Sequence, residues 1–578
     1  MKKLGIYLKD YTKESVLAPL FKLLEALFDL FVPVVIARII NEGITLHNTD
    51  VLYQQFALLI GLALTGLLCS IVAQYFAAKA SVGFTTKLRQ ALFDHIQSFS
   101  YAEMDKVGVD TLITRLTSDA NQVQNGLNLA LRLLLRSPFI VFGSMIMAFT
   151  INVKAAVIFA VVIPLLCLVV FAIMLISIPL FKKVQKELDR LLTITRENLT
   201  GMRVIRAFRL EQQEVKEFDE QNEALTKQNE LVGRLSACMN PATYVLINLA
   251  TVVLIYVGAL QVSYGTMLQG DVVALYNYMA QIVVELIKMA SLIITIDKSI
   301  ACAERIQSVL DIEPCITYPA TTAEEKEDTY AICFDHVRFA YAGSKEDSLE
   351  DISFAIEEGK TLGIIGPTGC GKSTCVELIP RFYDVTQGKV TVLGKNVKNY
   401  SQKDLMKLIG SVPQKAVVFQ GTIRDNLKLG NEQATDEDLW KALQIAQAKT
   451  VVEEKEGQLD YVIEQGGKNL SGGQKQRLTI ARALVKDPRI LILDDSASAL
   501  DFATDAALRK ALHSLKKTTV LVSQRISTIR SADLIVVLED GKLKGKGTHE
   551  ELMQSCPTYQ DIYYSQYPEE KKEVSAHA

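Results

Sequence analysis

Long apolar runs without charged residues dominate the first half of the chain. Residues 51–78, 155–181 and 235–270 contain no Asp, Glu, Lys or Arg, and each is longer than the roughly 20 residues that a helix needs to cross a bilayer. A fourth charge-free stretch, residues 137–153, ends at a very short loop before the next run. These four runs predict membrane-spanning helices.

Two further apolar stretches, residues 16–40 and 272–296, are long enough to cross a bilayer but carry charges. The charges in the first are spaced by three and four residues and so share one helix face. Charges at such depth usually face a bundle interior or a water-filled cavity. They are Lys22, Glu25 and Asp29 in the first stretch, and Glu285 and Lys288 in the second.

Two interpretations of these membrane charges remain open. In the first, Glu25 and Asp29 attract a cationic or amphipathic substrate. In the second, they pair with Lys22 or with Lys288, and their role is structural. Glu285 has the same ambiguity.

Six membrane spans are therefore expected, with both termini in the cytoplasm. The segment 182–234 holds eleven Lys and Arg, whereas residues 41–50 and 263–271 hold none, and positively charged loops stay on the cytoplasmic side. The polar loops 102–129 and 191–231 show apolar residues at three- and four-residue steps, which predicts helical arms that reach a cytoplasmic domain.

After residue 310 the chain turns polar and acidic, as a linker does, and then alternates short apolar strands with helical stretches. This alternation is typical of an α/β domain. Strands are predicted at residues 361–365, 490–493, 518–522 and 534–538. The expected organisation begins with a transmembrane domain with long cytoplasmic helical arms at residues 1–305. A linker at residues 306–330, a nucleotide-binding domain at residues 331–565 and a polar tail at residues 566–578 follow.

Composition supports a membrane protein and excludes several other classes. Apolar residues make up 49% of the 578 residues and charged residues 22%, and the mean hydropathy is +0.19. A formal charge of −3 argues against a nucleic-acid binder that relies on bulk positive charge. The nine cysteines show no paired C-x-x-C spacing, so neither a zinc site nor a disulfide framework is expected.

The strongest chemical motif opens the second domain. The run Gly366-Pro367-Thr368-Gly369-Cys370-Gly371-Lys372-Ser373-Thr374 fits G-x-x-x-x-G-K-[ST] between a predicted strand and a predicted helix. Glycines let backbone N–H groups curl around phosphates, Lys372 reaches the β- and γ-phosphate oxygens, and Ser373 ligates Mg²⁺. This motif predicts binding of a nucleoside triphosphate.

Two later motifs extend this site. The apolar strand that ends at Asp494 places a carboxylate where a magnesium-orienting residue is expected. The loop Leu470-Ser471-Gly472-Gly473-Gln474 precedes a helix and forms a second anion cradle. This second cradle must act on a different nucleotide, because residues 366–374 already hold the phosphates of the first.

With these motifs the chain resembles an ABC exporter half-transporter, over about residues 1–565. The resemblance implies a membrane all-α six-helix exporter domain followed by an α/β P-loop ABC ATPase domain, with ATP and Mg²⁺ as cofactors. It also implies that Tyr341 stacks on adenine, that Gln414 meets Mg²⁺, and that the loop Ser498 to Asp501 crosses between two ATPase domains. In this family two chains enclose two ATP molecules, each between one chain's phosphate loop and the other chain's Ser-Gly-Gly loop.

Two positions depart from the family pattern. Asp495 stands where a glutamate normally polarises the attacking water, and Gln524 stands where a histidine normally contacts the γ-phosphate. The missing methylene withdraws the carboxylate by about 1.5 Å. Misplacing a catalytic group by about 1 Å lowers the reaction rate on the order of a hundredfold. Gln cannot carry a proton or a positive charge. Either the chain is an active homodimer that tolerates Asp as base, or its own site is degenerate and it completes a competent site on a different partner.

The second hypothesis is favoured. The chain is expected to export amphipathic small molecules, in the manner of a multidrug exporter, across the cytoplasmic membrane as one half of a heterodimer. Its expected partners are a second half-transporter chain, membrane lipid and the substrate, with no nucleic acid. A lipid or peptide exporter and an ATP-regulated channel of the same architecture remain alternatives.

Overall fold

The computed structural model describes residues 3–323, 329–496 and 500–570. The chain divides into two compact units. One contains the residues up to Gln97 together with Asp110–Ile312, and the other contains Ser98–Val109 and the residues from Glu313 onward. Residues 324–328 of the expected linker and 571–578 of the expected tail lie outside the described part.

The first unit is helical throughout. Short π-helical segments at Ile39–Ile44 and Arg115–Asp119 interrupt its helices, and a 3-10 helix at Leu4–Tyr11 precedes them. In chain order, and including α3 of the other unit, the helices are α1 (Thr12–Arg38), α2 (Thr49–Gln97), α3 (Tyr101–Val107), α4 (Val109–Thr114), α5 (Ala120–Leu133), α6 (Arg136–Ile151), α7 (Val153–Thr200), α8 (Met202–Phe208), α9 (Glu211–Ala237), α10 (Met239–Ser263) and α11 (Gln269–Leu310).

Five helical segments of the described residues are long and apolar enough to cross a membrane. The first predicted span also forms a helix, α1, but its charges at Lys22, Glu25 and Asp29 keep it out of this set. The expected arms are helical as well. The five segments are Thr49–Gln97, Val109–Ile151, Val153–Thr200, Glu211–Ser263 and Gln269–Leu310.

Apolar side chains of α1, α6, α7 and α11 pack together in the first unit. Leu30, Val141, Phe159 and Met279 belong to one buried cluster. The Tyr278 hydroxyl, buried in the same cluster, donates a hydrogen bond to the Leu30 carbonyl. This bond joins α11 to α1 and satisfies a polar group that would be costly to leave unpaired in an apolar interior.

The second unit is an α/β domain built on a ten-stranded mixed sheet, with strand order β5-β4-β1-β2-β12-β11-β3-β10-β9-β6, and a two-stranded sheet of β7 and β8. Its strands are β1 (Tyr330–Phe339), β2 (Leu349–Glu357), β3 (Thr361–Ile365), β4 (Gln387–Val392), β5 (Lys395–Asn396), β6 (Ile409–Val412), β7 (Gly421–Thr422), β8 (Val462–Ile463), β9 (Ile490–Asp494), β10 (Thr518–Val522), β11 (Leu534–Glu539) and β12 (Lys542–Gly547).

Helices cover this sheet. Besides α3 they are α12 (Lys372–Glu377), α13 (Gln402–Leu408), α14 (Ile423–Lys428), α15 (Asp436–Ile445), α16 (Lys449–Glu453), α17 (Gly472–Val485), α18 (Phe502–Ser514), α19 (Ile526–Ile529), α20 (His549–Ser555) and α21 (Pro557–Gln566). All four predicted strands are confirmed.

The central strands are buried on both faces, which explains why their sequences are continuously apolar rather than alternating. In β9, Ile490 and Ile492 pack into one hydrophobic cluster, whereas Leu491 and Leu493 pack into another on the opposite face. A sheet fixed between two cores gives the loops at its edge a rigid support.

Candidate functional site

Four adjacent strands bring the predicted nucleotide residues to one edge of the sheet. β3, β10, β9 and β6 are parallel neighbours, so their carboxyl ends meet at the same edge, where open α/β sheets bind ligands. Residues 366–374 follow β3, Gln524 follows β10, Asp494 ends β9 and Gln414 follows β6.

A cavity of about 540 Å³ opens at this edge. Most of the expected site residues line it, and Asp347, Ser348, Asp540 and Gly541 line it too. No sequence motif pointed to these four residues. The expected residues on its wall are Tyr341, Thr368, Gly369, Gly371, Lys372, Ser373, Thr374, Gln414, Asp494, Asp495 and Gln524.

Glycine is required at two points of the phosphate loop. A Cβ on Gly366 would lie 2.0 Å from the Leu538 carbonyl oxygen, because the loop leaves β3 directly against β11. Gly371 has a φ of +92°, and a Cβ there would lie 2.8 Å from the Ser348 carbonyl oxygen. The loop therefore adopts a backbone path that larger residues would block.

The Lys372 side chain lies buried inside the loop. Its ammonium donates hydrogen bonds to the carbonyl oxygens of Gly366 and Pro367, at 2.9 and 2.7 Å. Burial raises the pKa of the neighbouring Cys370 thiol, so it stays neutral, and its Sγ lies 3.7 Å from the ammonium. The loop thus holds a positive charge at the phosphate position.

Asp494 and Ser373 fit a magnesium ion. Asp494 is 8% exposed, and burial raises its pKa, as does Asp495, while a hydrogen bond from Ser373 and the Lys372 charge oppose the rise. Its buried Oδ1 has no hydrogen-bond partner among the described residues. An unpaired carboxylate oxygen beside a hydroxyl is the hard donor set that Mg²⁺ prefers.

Asp495 is half-buried and has an unusual backbone conformation. Its φ is +43°, in the left-handed region that Asp adopts more readily than most residues. Its N–H donates to the Val522 carbonyl oxygen at 3.0 Å. Burial raises the pKa of Asp495, opposed by the charges of Lys372 and Arg525 and by a hydrogen bond from Gln414.

The loop that carries Gln524 is clamped by the end of α21. The Gln566 side chain donates to the Gln524 carbonyl oxygen at 2.7 Å and accepts from the Ile526 N–H at 3.0 Å. Gln566 is the first residue of the expected polar tail. A side-chain amide that satisfies both an acceptor and a donor in this way fixes the backbone of the loop.

Tyr341 also lines the cavity. Its hydroxyl is 2.9 Å from the Thr374 hydroxyl, and its ring makes edge contacts with Phe339 and Tyr383, with centroids 4.9 and 5.3 Å apart. Tyr383 in turn donates to Asp105 of α3 at 2.6 Å. An aromatic ring is thus held next to the phosphate loop.

The Ser-Gly-Gly loop lies apart from this cavity: no described residue from 470 to 474 lines it. Ser471 caps α17, because its hydroxyl accepts from the Gln474 N–H at 3.3 Å while its own N–H donates to the Gln474 side chain at 3.0 Å. Gly472 is exposed, with open space where a Cβ would stand. The exposed start of α17 is free to receive a ligand from outside this chain.

The crossing loop is only partly described. Asp501 caps α18, where its carboxylate accepts from the N–H and the hydroxyl of Thr504, both at 2.9 Å. Ser498 and Ala499 of the same loop lie outside the described residues.

The membrane charges form one connected network that sequence reasoning only partly anticipated. Lys22 pairs with Glu25 at 2.6 Å, and Glu25 also lies 3.8 Å from the Arg136 guanidinium. Asp29 pairs not with Lys22 or Lys288 but with Arg136, at 2.9 Å. The other side of the Arg136 guanidinium binds Glu285 at 2.7 Å. The partners of Glu285 are completed by Ser137 at 2.7 Å and Lys288 at 3.1 Å.

Known proteins resemble the chain along its length. Residues 15–286 match the family described as the ABC transporter transmembrane region, and residues 349–498 match the family described as ABC transporter. The chain is 35% identical over 573 residues, 99% of its own length and 100% of the relative, to the uncharacterized ABC transporter ATP-binding protein YfiB of Bacillus subtilis.

Two further proteins are similar to this chain, one in sequence and one in fold. An ATP-dependent lipid A-core flippase of Desulfotalea psychrophila is 32% identical over 480 residues, 83% of this chain and 84% of that protein. The fold is similar to a solved structure of a bacterial Atm1-family ABC exporter with ATP bound, with a TM-score of 0.79, 22% identity and coverage of 96% and 98% of the two chains.

Proposed function

This chain belongs to the ABC transporter family, as a half-transporter with its membrane domain ahead of one ATPase domain, and we propose that it works as the degenerate-site half of a heterodimeric exporter. It is a multi-pass membrane ATPase that couples ATP hydrolysis to transport. Under the proposal both termini and the ATPase domain lie in the cytoplasm.

The observation that carries the proposal is the composition of the nucleotide cavity. Asp495 and Gln524 line it together with Lys372, Ser373 and Asp494, so the residues that bind phosphate and metal are intact while the two that support hydrolysis are altered. Asp495 has a side chain one methylene shorter than the usual glutamate, and Gln524 lacks a titratable ring. This combination supports ATP binding with slow hydrolysis.

Each residue has a distinct role in this account. The Lys372 ammonium neutralises the β- and γ-phosphate oxygens, and backbone N–H groups of residues 366–374 cradle them. Ser373, Asp494 and Gln414 would hold Mg²⁺, which would neutralise part of the phosphate charge. The ring of Tyr341 stacks on adenine.

The exposed start of α17 serves the partner chain. Ser471 and Gly472 present a hydroxyl and backbone N–H groups at a helix N-terminus, which stabilise negative charge. They complete the competent site around the nucleotide that the partner's phosphate loop holds. Asp501 contributes to the crossing between the two ATPase domains.

The proposed cargo is an amphipathic small molecule taken from the membrane. Lipid export is the second candidate, and it is favoured by the 32% identity to a protein named as an ATP-dependent lipid A-core flippase. Reconstitution in vesicles with a fluorescent drug or a fluorescent lipid as cargo distinguishes the two.

The heterodimer is tested by comparing ATPase rates. The full-length chain is purified alone and together with a candidate partner half-transporter that carries Glu and His at the positions of Asp495 and Gln524, in matched detergent. The pair is expected to hydrolyse ATP at least about tenfold faster per ATPase domain than the lone chain. A lone chain as active as the pair would overturn the proposal in favour of the homodimer.

A further inference from the structure

A cavity in the membrane unit has the features of a ligand site. It lies between α1, α6 and α11 and has a volume of about 410 Å³, within the range of small-molecule pockets. Its wall includes Asp29, Pro33, Arg136, Gln281, Glu285 and Lys288.

Two polar atoms on this wall are buried and unsatisfied. Arg136 Nε and Gln281 Oε1 have no hydrogen-bond partner among the described residues, although the rest of the Arg136 guanidinium is engaged by Asp29 and Glu285. A buried donor and a buried acceptor that are left unpaired each cost free energy. Both residues line the cavity, so a ligand with both hydrogen-bonding characters would recover that cost once these side chains rotate toward it.

The charges around the cavity balance. Three cations and three carboxylates form the network described above, so the cluster is neutral when all are ionised. A net charge is expensive at this depth. An occupant that carries no net charge therefore disturbs the network least, which argues against a simple cation.

The two accessible members of the network have opposite signs. The side chains of Asp29 and Lys288 are 42% and 46% exposed, whereas those of Arg136 and Glu285 are 12% and 5% exposed. The buried pair between them, Arg136 with Glu285, holds the two accessible charges at opposite ends of one chain of contacts. An ammonium fits at Asp29 and a carboxylate or phosphate at Lys288.

We propose that this cavity binds an amphipathic zwitterion, with its cationic group at Asp29, its anionic group at Lys288 and its polar linker at Gln281. The proposal rests on the export function proposed above, whose substrate class it names. It differs from the sequence-based interpretation of a cation held by Glu25 and Asp29, because Glu25 is paired with Lys22 and does not line the cavity.

The test uses three matched fluorescent probes and the full-length pair in lipid nanodiscs without ATP. The zwitterion is Nα-dansyl-lysine, whose ε-ammonium and α-carboxylate are separated by its side chain, the cation is dansylcadaverine and the anion is dansylglycine. The readout is the increase in dansyl emission on binding. The zwitterion is expected to bind about tenfold more tightly than either of the others, the size of one partly desolvated ion pair.

Charge variants then test which end of the cavity binds the cationic group and which binds the anionic group. Asp29→Asn is expected to weaken binding of the zwitterion and the cation about tenfold, but not binding of the anion. Lys288→Gln is expected to weaken binding of the zwitterion and the anion, but not binding of the cation. Asp297→Asn and Lys298→Gln are the matched charge controls, because both residues are exposed positions of α11 outside the cavity wall. They should leave binding of all three probes unchanged.

Equal affinity for the three probes would overturn the proposal. So would tighter binding of the cation than of the zwitterion that persists in Lys288→Gln. Control variants that weaken probe binding as much as the cavity variants do would overturn it as well. Lys288→Gln removes a half-exposed side chain at a helix surface, so the test does not depend on the folding of the Asp29 variant. Because binding is measured without ATP, failure of the zwitterion site and failure of the heterodimer are distinguished by the separate ATPase comparison.

Discussion

The hydroxyl oxygens of Tyr341 and Thr374 lie 2.9 Å apart, which ties the loop after β1 to the first turn of α12. The ring proposed to stack on adenine and the loop proposed to hold phosphate are thus coupled in one chain. Packing against Phe339 and Tyr383 fixes the ring from the side.

The ring, rather than its hydroxyl, is expected to carry nucleotide affinity. Tyr341→Ala should weaken binding of a fluorescent ATP analogue on the order of tenfold, because stacking on a base contributes about 1–3 kcal/mol. Tyr341→Phe keeps the ring and should stay within about threefold of the parent. Equal losses in both variants would instead assign the effect to the hydrogen bond with Thr374.

Glu377, in the helix after the phosphate loop, makes the stability of the ATPase domain depend on pH. Burial raises its pKa from 4.5 to about 7, and the carboxylates of Asp494 and Asp105 add to the rise. A carboxyl whose pKa is higher in the folded state favours folding while protonated, and this contribution is lost as pH rises from about 4.5 through 7.

Glu377→Gln should therefore stabilise the domain above about pH 7, by on the order of 2 kcal/mol, and the gain should shrink toward about pH 5. The single tryptophan, Trp440, lies in α15 of this domain and reports its thermal unfolding. The exposed Glu454→Gln is the matched control. A gain that is equal at both pH values would contradict the assigned cause.

The pairing of Arg136 with Glu285 is expected to stabilise the membrane unit. Arg136→Met leaves the buried Glu285 carboxylate with Lys288 as its only cation among the described residues, and breaking a buried pair costs about 3–5 kcal/mol. The thermal midpoint of the protein in detergent should fall, and the double variant Arg136→Met with Glu285→Gln should recover much of the loss. The exposed Lys154→Met is the control, and a double variant no more stable than the single one would refute the pairing.

Local patterns predicted the strands because β3, β9 and β10 are continuous apolar runs bounded by polar residues. The phosphate loop was also predictable from a local pattern, because its residues are contiguous in the sequence. Steric contacts require its glycines, as at Gly366. Contacts between distant segments were not predictable. Arg136 lies 107 residues from Asp29 and 149 from Glu285, and no local spacing links them.

The same limit applies within the nucleotide site. Gln566 reaches a loop 40 residues earlier, and its polar sequence context suggested only a tail. Asp347 and Asp540 line the cavity because β2, β11 and β12 bring turns beside the phosphate loop. These placements follow from the sheet order, which the sequence alone does not specify.

The central claim is that Asp495 and Ser471 of this one chain serve different ATP sites with unequal importance for turnover. Asp495 lines the chain's own cavity, where hydrolysis is proposed to be slow, so Asp495→Ala should keep turnover within about twofold of the parent. Ser471→Ala should lower turnover on the order of a hundredfold, because it removes a donor from the partner's competent site. Gly472→Asp should do the same by placing a carboxylate near the γ-phosphate.

The most direct measurement is ATP turnover of the assembled heterodimer at saturating ATP and Mg²⁺ for Asp495→Ala and Ser471→Ala. Thr435→Ala is the matched control for the lost helix cap, because Thr435 caps α15 with the same hydrogen-bond pattern as Ser471 caps α17. The account predicts near-normal turnover for Asp495→Ala and for Thr435→Ala, and severe loss for Ser471→Ala. Abolished turnover in Asp495→Ala with intact turnover in Ser471→Ala would contradict it.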